Sequence, residues 1–247
     1  MTPASAAASI DAAEIARFEA IGEDWWNPEG SMRALHRINP LRIAWLRDLM
    51  IGHFRLQRGA TAPLSGLTIL DIGCGAGLLA EPLSRLGAAV TGLDPAPGNI
   101  EVARRHAEET GAALTYRAAA LEELAHEPER FDVVLAMEVI EHVNDMPRFV
   151  ADACALVKPG GLLAASTLNR TLRSFALAIV GAEYVLGWLP KGTHRWEQFV
   201  TPQELEAALN AAGFRATQRS GMIYDPLRGA WRLASDMSVN YMIGARR

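Results

Sequence analysis

The sequence predicts an α/β fold built on a mostly parallel sheet with helices on both faces. Three observations predict it. First, Leu70-Asp71-Ile72-Gly73-Cys74-Gly75-Ala76-Gly77 follows the apolar run Leu67-Thr68-Ile69-Leu70 and precedes Leu78-Leu79-Ala80-Glu81. That order is strand, glycine turn, helix, which can hold a nucleotide-like ligand against bare backbone. Second, apolar runs alternate with amphipathic ones downstream, as a parallel sheet crossed by helices requires. Third, Asp71, Asp94 and Glu138 fall at or just past strand ends, where ligands of such sheets bind.

The elements follow in order. The Ala/Ser-rich first nine residues read as a tail. Ile15, Phe18 and Ile21 space a helix over residues 11–21. The turn-rich segment Asp24-Trp25-Trp26-Asn27-Pro28-Glu29-Gly30 comes next. Residues 32–50 alternate basic and apolar positions, and Asn39-Pro40 predicts a fresh helix there, with proline at N1. Strands are expected at 67–70, 89–93, 114–117, 131–135 and 162–167, with helices at 99–110 and 147–157. The turn Lys158-Pro159-Gly160-Gly161 stops the second of these helices. Thr201-Pro202-Gln203-Glu204 reads as an N-cap and N1 proline opening a helix to Ala212, which Gly213 ends. Residues 214–222 and 238–243 read as the last two strands.

At 247 residues, half of them hydrophobic, the chain can bury a full core and is not disordered. The 24 basic and 28 acidic residues give a formal charge of −4, which supplies no overall field for nucleic acid. Two cysteines, Cys74 and Cys154, support neither a disulfide framework nor a cysteine zinc site. Met1 to Ile10 has no basic n-region or apolar h-region, so no secretory signal is expected. No run of about 20 uncharged apolar residues predicts a spanning helix.

The glycines alone leave two ligands open. A dinucleotide-binding dehydrogenase also has a glycine turn with an acid roughly 20 positions on. Counted from Gly73, Leu78 breaks that fingerprint; counted from Gly75, G-A-G-L-L-A fits its looser form. The wider pattern resembles the class I S-adenosylmethionine (SAM) methyltransferases, in which an acid precedes the glycines (Asp71), an acid ends the second strand (Asp94), and L-x-P-G-G precedes the fifth strand (156–161). That resemblance implies a Rossmann-like, seven-stranded, mostly parallel sheet, with N-terminal helices and an insertion after strand five. A carboxylate after strand two suits a ribose diol. Gly73 and Gly75 would lie under the methionine part of the cofactor, and Met137 would border it.

On the acceptor side stands Met137-Glu138-Val139-Ile140-Glu141-His142-Val143. If helical, it puts Glu138, Glu141 and His142 on one face. Two carboxylates and an imidazole can hold a divalent cation such as Mg or Zn, or supply a general base. A phenolic acceptor, with a pKa of about 10, needs one or the other. The run 175–189 carries one charge, Glu183, with Arg170 and Arg173 before it and Lys191 after it. It is too short to span a bilayer and suits a membrane interface, a lid over an apolar substrate, or a core helix. His194 is a second acid/base candidate in a polar turn.

Further segments make the resemblance closer. Trp25-Trp26, residues 35–42, the E-x-x-E-H element, residues 166–170, 180–184, 191–194 and 239–242 are similar to the ubiquinone biosynthesis O-methyltransferases, over about Glu14 to Met242. The resemblance implies one methyltransferase domain: a helical cap (1–66), a SAM-binding core (67–167), a substrate and membrane insertion (168–201), and a C-terminal helix with strands (202–247). It implies methylation of 2-polyprenyl-6-hydroxyphenol and of 3-demethylubiquinol. Arg42, Asp71, Gly73, Gly75, Asp94 and Met137 would bind SAM, with Arg42 reaching its carboxylate. Glu138, Glu141 and His142 would be the catalytic and metal-binding group. Cytoplasmic location, peripheral on the inner face of the membrane through residues 170–190, is expected, as is association with other ubiquinone biosynthesis enzymes. A SAM methyltransferase for another small or lipid acceptor, and a non-catalytic SAM- or lipid-binding module, are the alternatives.

Overall fold

A computed structural model describes residues 9–177, 195–225 and 229–247. Helix α1 (Ala12–Glu19) and a 3-10 turn (Gly22–Trp26) lead into α2 (Arg33–Phe54). The core then runs β1 (Thr68–Ile72), α3 (Ala80–Arg85), β2 (Ala89–Asp94), α4 (Pro97–Thr110), β3 (Thr115–Ala118), α5 (Leu121–Ala125), β4 (Phe131–Met137), a 3-10 turn (Ile140–His142), α6 (Met146–Ala155) and β5 (Val157–Leu168). After β5 come α7 (Leu172–Ser174), α8 (Pro202–Ala211), β6 (Arg215–Asp225), β7 (Ala230–Ala234) and β8 (Asn240–Arg246).

These strands form one sheet in the order β3-β2-β1-β4-β5-β8-β6-β7. The pairs β1·β2, β1·β4, β2·β3 and β4·β5 are parallel; β5·β8, β6·β8 and β6·β7 are antiparallel. Strand order reverses between β1 and β4, which opens a crevice above their carboxyl ends. The period-two alternation of strand side chains sends Ile69, Val133 and Leu162 to one face, among α2, α3 and α4 residues. Leu70, Val134 and Leu163 go to the other, among α5, α6 and α8 residues. The capping box at Thr201 forms as its sequence requires: the Glu204 amide donates to Thr201 Oγ1, and Glu204 Oε2 accepts from the Thr201 amide.

Two expectations are corrected. The sheet has eight strands rather than seven, because residues 230–234 return along β6 as a hairpin partner. That strand is five residues long and none of them is buried, so its sequence carries little core pattern. Helix α2 does not restart at Pro40 but runs through it. Proline inside a helix removes one backbone bond and costs roughly 3 kcal/mol. Burial of Ile38, Trp45, Leu46, Leu49 and Met50 along the same helix offsets that cost.

Candidate active site

A cavity of about 490 Å³ lies above the switch point. It is lined by Asp71, Gly73 and Gly75 on one side, Asp94 and Met137 at strand ends, and Arg42, Glu138, Glu141 and His142 beyond them. The structure thus brings the expected cofactor residues and the expected acceptor residues into one space.

The glycine turn is shaped by its neighbours. Gly73, Gly75 and Gly77 all have positive φ (67°, 53° and 88°), which L side chains adopt only at a cost. A Cβ on Gly75 would meet Trp25 Cη2 at 2.6 Å, and one on Gly77 would collide with the Tyr116 hydroxyl. Trp25 is buried over the turn and donates from Nε1 to Asn99 Oδ1 at 3.0 Å; Trp26 donates to the Ala76 carbonyl at 3.1 Å. The pair of tryptophans therefore roofs the turn. Their spacing in the sequence gave no hint of this, because the contacts join residues 50 or more positions apart.

Asp94 organises the same turn. Its Oδ2 accepts from the Gly75 amide at 2.9 Å, and its Oδ1 accepts from the Ala96 amide at 2.9 Å and from Asn99 Nδ2 at 3.2 Å. Burial raises its pKa, and these bonds oppose the rise. Asp71 is buried with Oδ2 unpartnered. Burial, with the nearby Asp94 charge, raises its pKa to about 7, while Arg42 pulls it down.

On α2, Arg42 is 3% exposed; its Nη2 lies 2.7 Å from Glu138 Oε1, and its Nη1 donates to Asn39 Oδ1 at 3.3 Å. The ion pair lacks hydrogen-bond alignment, so Nη2 and Nε keep donors unused. Glu138 also accepts from Ser166 Oγ at 2.7 Å. It sits just beyond β4 at φ 58°, a left-handed conformation uncommon for glutamate. Glu141 is fully enclosed, accepting from Thr167 Oγ1 at 2.7 Å with Oε1 unpartnered. Burial, helped by the Glu138 charge, pushes its pKa up to about 8. His142 Nδ1 lies 3.0 Å from Glu14 Oε2, and the Phe18 and imidazole rings stand nearly perpendicular with centroids 5.1 Å apart.

The expected ligand set does not form. Glu138 precedes the turn in a left-handed conformation, so it shares no helical face with Glu141 and His142. The three side chains are committed to different partners: Glu138 to Arg42, Glu141 to Thr167 and His142 to Glu14. Among the described residues no group of three or more His, Cys, Asp or Glu side chains is placed to hold a metal ion. Glu14, Trp25 and Asn99 are site residues that sequence reasoning did not assign. His194 lies outside the described residues, as do 178–190 of the expected membrane segment.

Comparison with known proteins agrees with the geometry. A methyltransferase domain family model matches residues 46–219. The ubiquinone biosynthesis O-methyltransferase of Methylocella silvestris is 59% identical over 244 residues, covering 97% of this chain and 95% of its own. That of Methylobacterium nodulans is 59% identical over 239 residues, covering 97% and 96%. Among solved structures, magnesium protoporphyrin IX methyltransferase from Synechocystis PCC 6803 with bound SAH superposes with a TM-score of 0.62 at 20% identity, over 88% of this chain and 85% of that one. The structural likeness shows the fold, a class I SAM methyltransferase sheet. With relatives this similar along almost its whole length, the chain belongs to the ubiquinone biosynthesis O-methyltransferase family.

Proposed function

We propose that the chain methylates a ring hydroxyl of a polyprenylated phenol or quinol, taking 2-polyprenyl-6-hydroxyphenol to the methoxyphenol and 3-demethylubiquinol to ubiquinol. The observation that supports this most is the continuity of the cavity. One cavity is lined by the glycine turn, by Arg42, Glu138 and His142, and by the exposed side chains Leu177 and Tyr224. A donor pocket, an acid/base group and exposed apolar side chains in one cavity suit a ring carrying a long apolar tail.

The donor residues fit SAM. The unpartnered Asp71 oxygen suits an α-ammonium, and the unused Arg42 donors suit an α-carboxylate. Asp94 spends three of about four lone-pair positions on the turn, leaving one for a ribose hydroxyl. When bound, SAM supplies a methyl group already activated on a sulfonium. The chain then has two tasks, alignment of the acceptor oxygen and removal of its proton. His142 is assigned the proton. Its ring lines the cavity, and imidazole is the side chain whose ordinary titration falls near neutrality. Burial biases Glu141 toward its protonated form, and Glu138 holds Arg42 in place. No step is routed through a metal ion.

Peripheral contact with a lipid surface through residues 170–190 is part of the proposal. Its support is that Leu172, Phe175 and Leu177 are exposed, while no helix among the described residues is long and apolar enough to cross a membrane. The deciding experiment is methyl transfer from SAM to a short-chain 3-demethylubiquinol, with and without chelator. Product in both arms is expected. No product overturns the acceptor assignment, and loss on chelation overturns metal-free proton removal.

A further inference from the structure

Strand β8 begins on the side of the cavity away from the methyl donor. It lies three strands from β1 in the sheet, roughly 14 Å at about 4.8 Å per strand, and the glycine turn follows β1. Its first residue, Asn240, pairs with Leu168 at the end of β5, two positions beyond the Ser166 that donates to Glu138. Asn169 fixes the chain where it enters β8. Its backbone amide donates to the Val239 carbonyl at 2.9 Å, and its Nδ2 donates to the Met237 carbonyl at 2.8 Å. Asn240 is 7% exposed and lines the cavity with the apolar Leu168, Met222 and Val239.

One end of the Asn240 carboxamide is committed to the fold. The backbone ladder between β6 and β8 ends at Ser220 and Met242, and the Met222 amide beyond it donates to Asn240 Oδ1 at 2.9 Å. Only the carbonyl end of a carboxamide can accept, so this bond fixes which way the group points. The other end, Nδ2, carries N–H donors and has no hydrogen-bond partner among the described residues. Nor is it sealed in protein, and the space that Asn240 lines is the cavity. A rigidly held amide donor among apolar side chains fixes the orientation of a ligand that offers it an oxygen.

We propose that Asn240 is a specificity-determining residue for the acceptor, its Nδ2 donating to the ring oxygen next to the hydroxyl that is methylated. This rests on the proposed acceptor class. In both acceptors of that class a second ring hydroxyl stands beside the reacting one. Such a ring can turn either oxygen toward the methyl group. Holding one of them on β8 leaves the other facing the methyl donor. The held oxygen keeps its own proton, so no proton passes through Asn240. A ring turned the wrong way leaves the amide donor unpartnered, which is how a hydrogen-bonding wall discriminates.

The test uses the full chain with SAM and 2-prenyl-6-hydroxyphenol bearing a single prenyl unit, in wild type and Asn240→Ala. The readouts are the ratio of the two monomethyl products, kcat, acceptor KM and SAM affinity. Wild type gives mainly 2-prenyl-6-methoxyphenol. Asn240→Ala raises the share of the other isomer, with its methoxy group beside the prenyl chain, by about 3–10-fold, the size of one hydrogen bond. SAM affinity holds. With 3-prenylphenol, which lacks the neighbouring hydroxyl, the variant loses less in kcat/KM than with the diol, by a similar factor. An unchanged isomer ratio overturns the proposal, and so do equal losses on the two acceptors, which mark a structural role alone. A second measurement reads wild type directly. With SAH bound, the side-chain amide signal of Asn240 shifts when the diol is added. Asn240→Asp, which keeps an oxygen for the Met222 amide, identifies that signal by its loss. A signal that the diol leaves in place overturns the proposal even if the alanine variant does not fold. No product from wild type with either acceptor instead overturns the acceptor class.

Discussion

Arg42 and Glu138 meet at 2.7 Å across the wall between the donor and acceptor halves of the cavity. Sequence reasoning put them in separate groups, one for the cofactor and one for a metal. The structure makes each the other's counter-charge. Removing one partner of a buried pair costs roughly 3–5 kcal/mol because the other charge stays behind. Glu138 keeps some solvent contact, so Arg42→Ala is expected near the low end of that range in denaturant titration. SAM affinity should fall at least about tenfold, since the side chain also carries the unused donors. Retained affinity would remove Arg42 from the cofactor site.

Glu138 pays for its place with a left-handed backbone. Such a conformation costs an L residue roughly 1–2 kcal/mol and glycine almost nothing. Glu138→Ala and Glu138→Gly both lose the ion pair, so their difference isolates the strain. The glycine variant is expected to be about 1 kcal/mol more stable than the alanine one. Equal stabilities would mean that the backbone relaxes once the side chain is gone.

Asp71 sets a pH dependence whose sign follows from its raised pKa. The folded protein holds a proton up to about pH 7 that the unfolded chain releases near its ordinary value of 3.8. Stability from this group is therefore present at low pH and lost as pH rises through about 7. At 1.36 kcal/mol for each pKa unit the loss is bounded at about 4 kcal/mol. Glu141 acts in the same direction, so the informative quantity is the difference from Asp71→Asn. Between pH 5 and 8 the melting temperature of the ligand-free wild type should fall more than that of the variant. Parallel curves would show that Asp71 is ionised throughout.

Gly77 is held by packing as well as by conformation, because the Tyr116 hydroxyl occupies the place of its missing Cβ. Gly77→Ala should destabilise the chain by about 1–3 kcal/mol, as overpacking does. Adding Tyr116→Phe removes the nearest atom and a buried hydroxyl with no hydrogen-bond partner. Part of the lost stability should return. The recovery will be incomplete, since the ring carbon Cζ stays at 2.9 Å and φ stays at 88°. Thermal melts of the single and double variants give the coupling, and strict additivity would reject the contact.

The donor half of the site was legible because it is local. A glycine turn between a strand and a helix and an acid at the next strand end are each set by a few neighbouring residues. The acceptor half depends on contacts between distant segments. Glu14 meets His142 across 128 positions, and Trp25 covers Gly75 across the first helical layer. No periodicity encodes either meeting. The E-x-x-E-H spacing misled for a related reason: helical spacing presumes a helix, and a left-handed residue at its first position forbids one. Pro40 misled in the opposite sense, since a packed apolar face carried the helix past a residue that weakens it.

The exposed apolar side chains offer the last prediction. Leu172 (82% exposed), Phe175 and Leu177 follow β5, while Tyr224 and Leu233 stand on the β6–β7 hairpin. These are the exposed large hydrophobic residues among those described, and two of them, Leu177 and Tyr224, line the cavity. Arg173, in the same stretch, pairs with Asp236 at 2.6 Å, so the lipid contact expected here is apolar more than electrostatic. Replacing Leu172, Phe175 and Leu177 together by serine should weaken binding to phospholipid vesicles at least about tenfold. It should also raise KM for a long-chain acceptor presented in those vesicles. Turnover of a water-soluble short-chain acceptor should change less than that, because of the three only Leu177 lines the cavity. Salt should change the vesicle affinity little, whereas a polybasic contact would lose it steeply. Undiminished vesicle binding by the triple variant would place the lipid contact elsewhere on the chain.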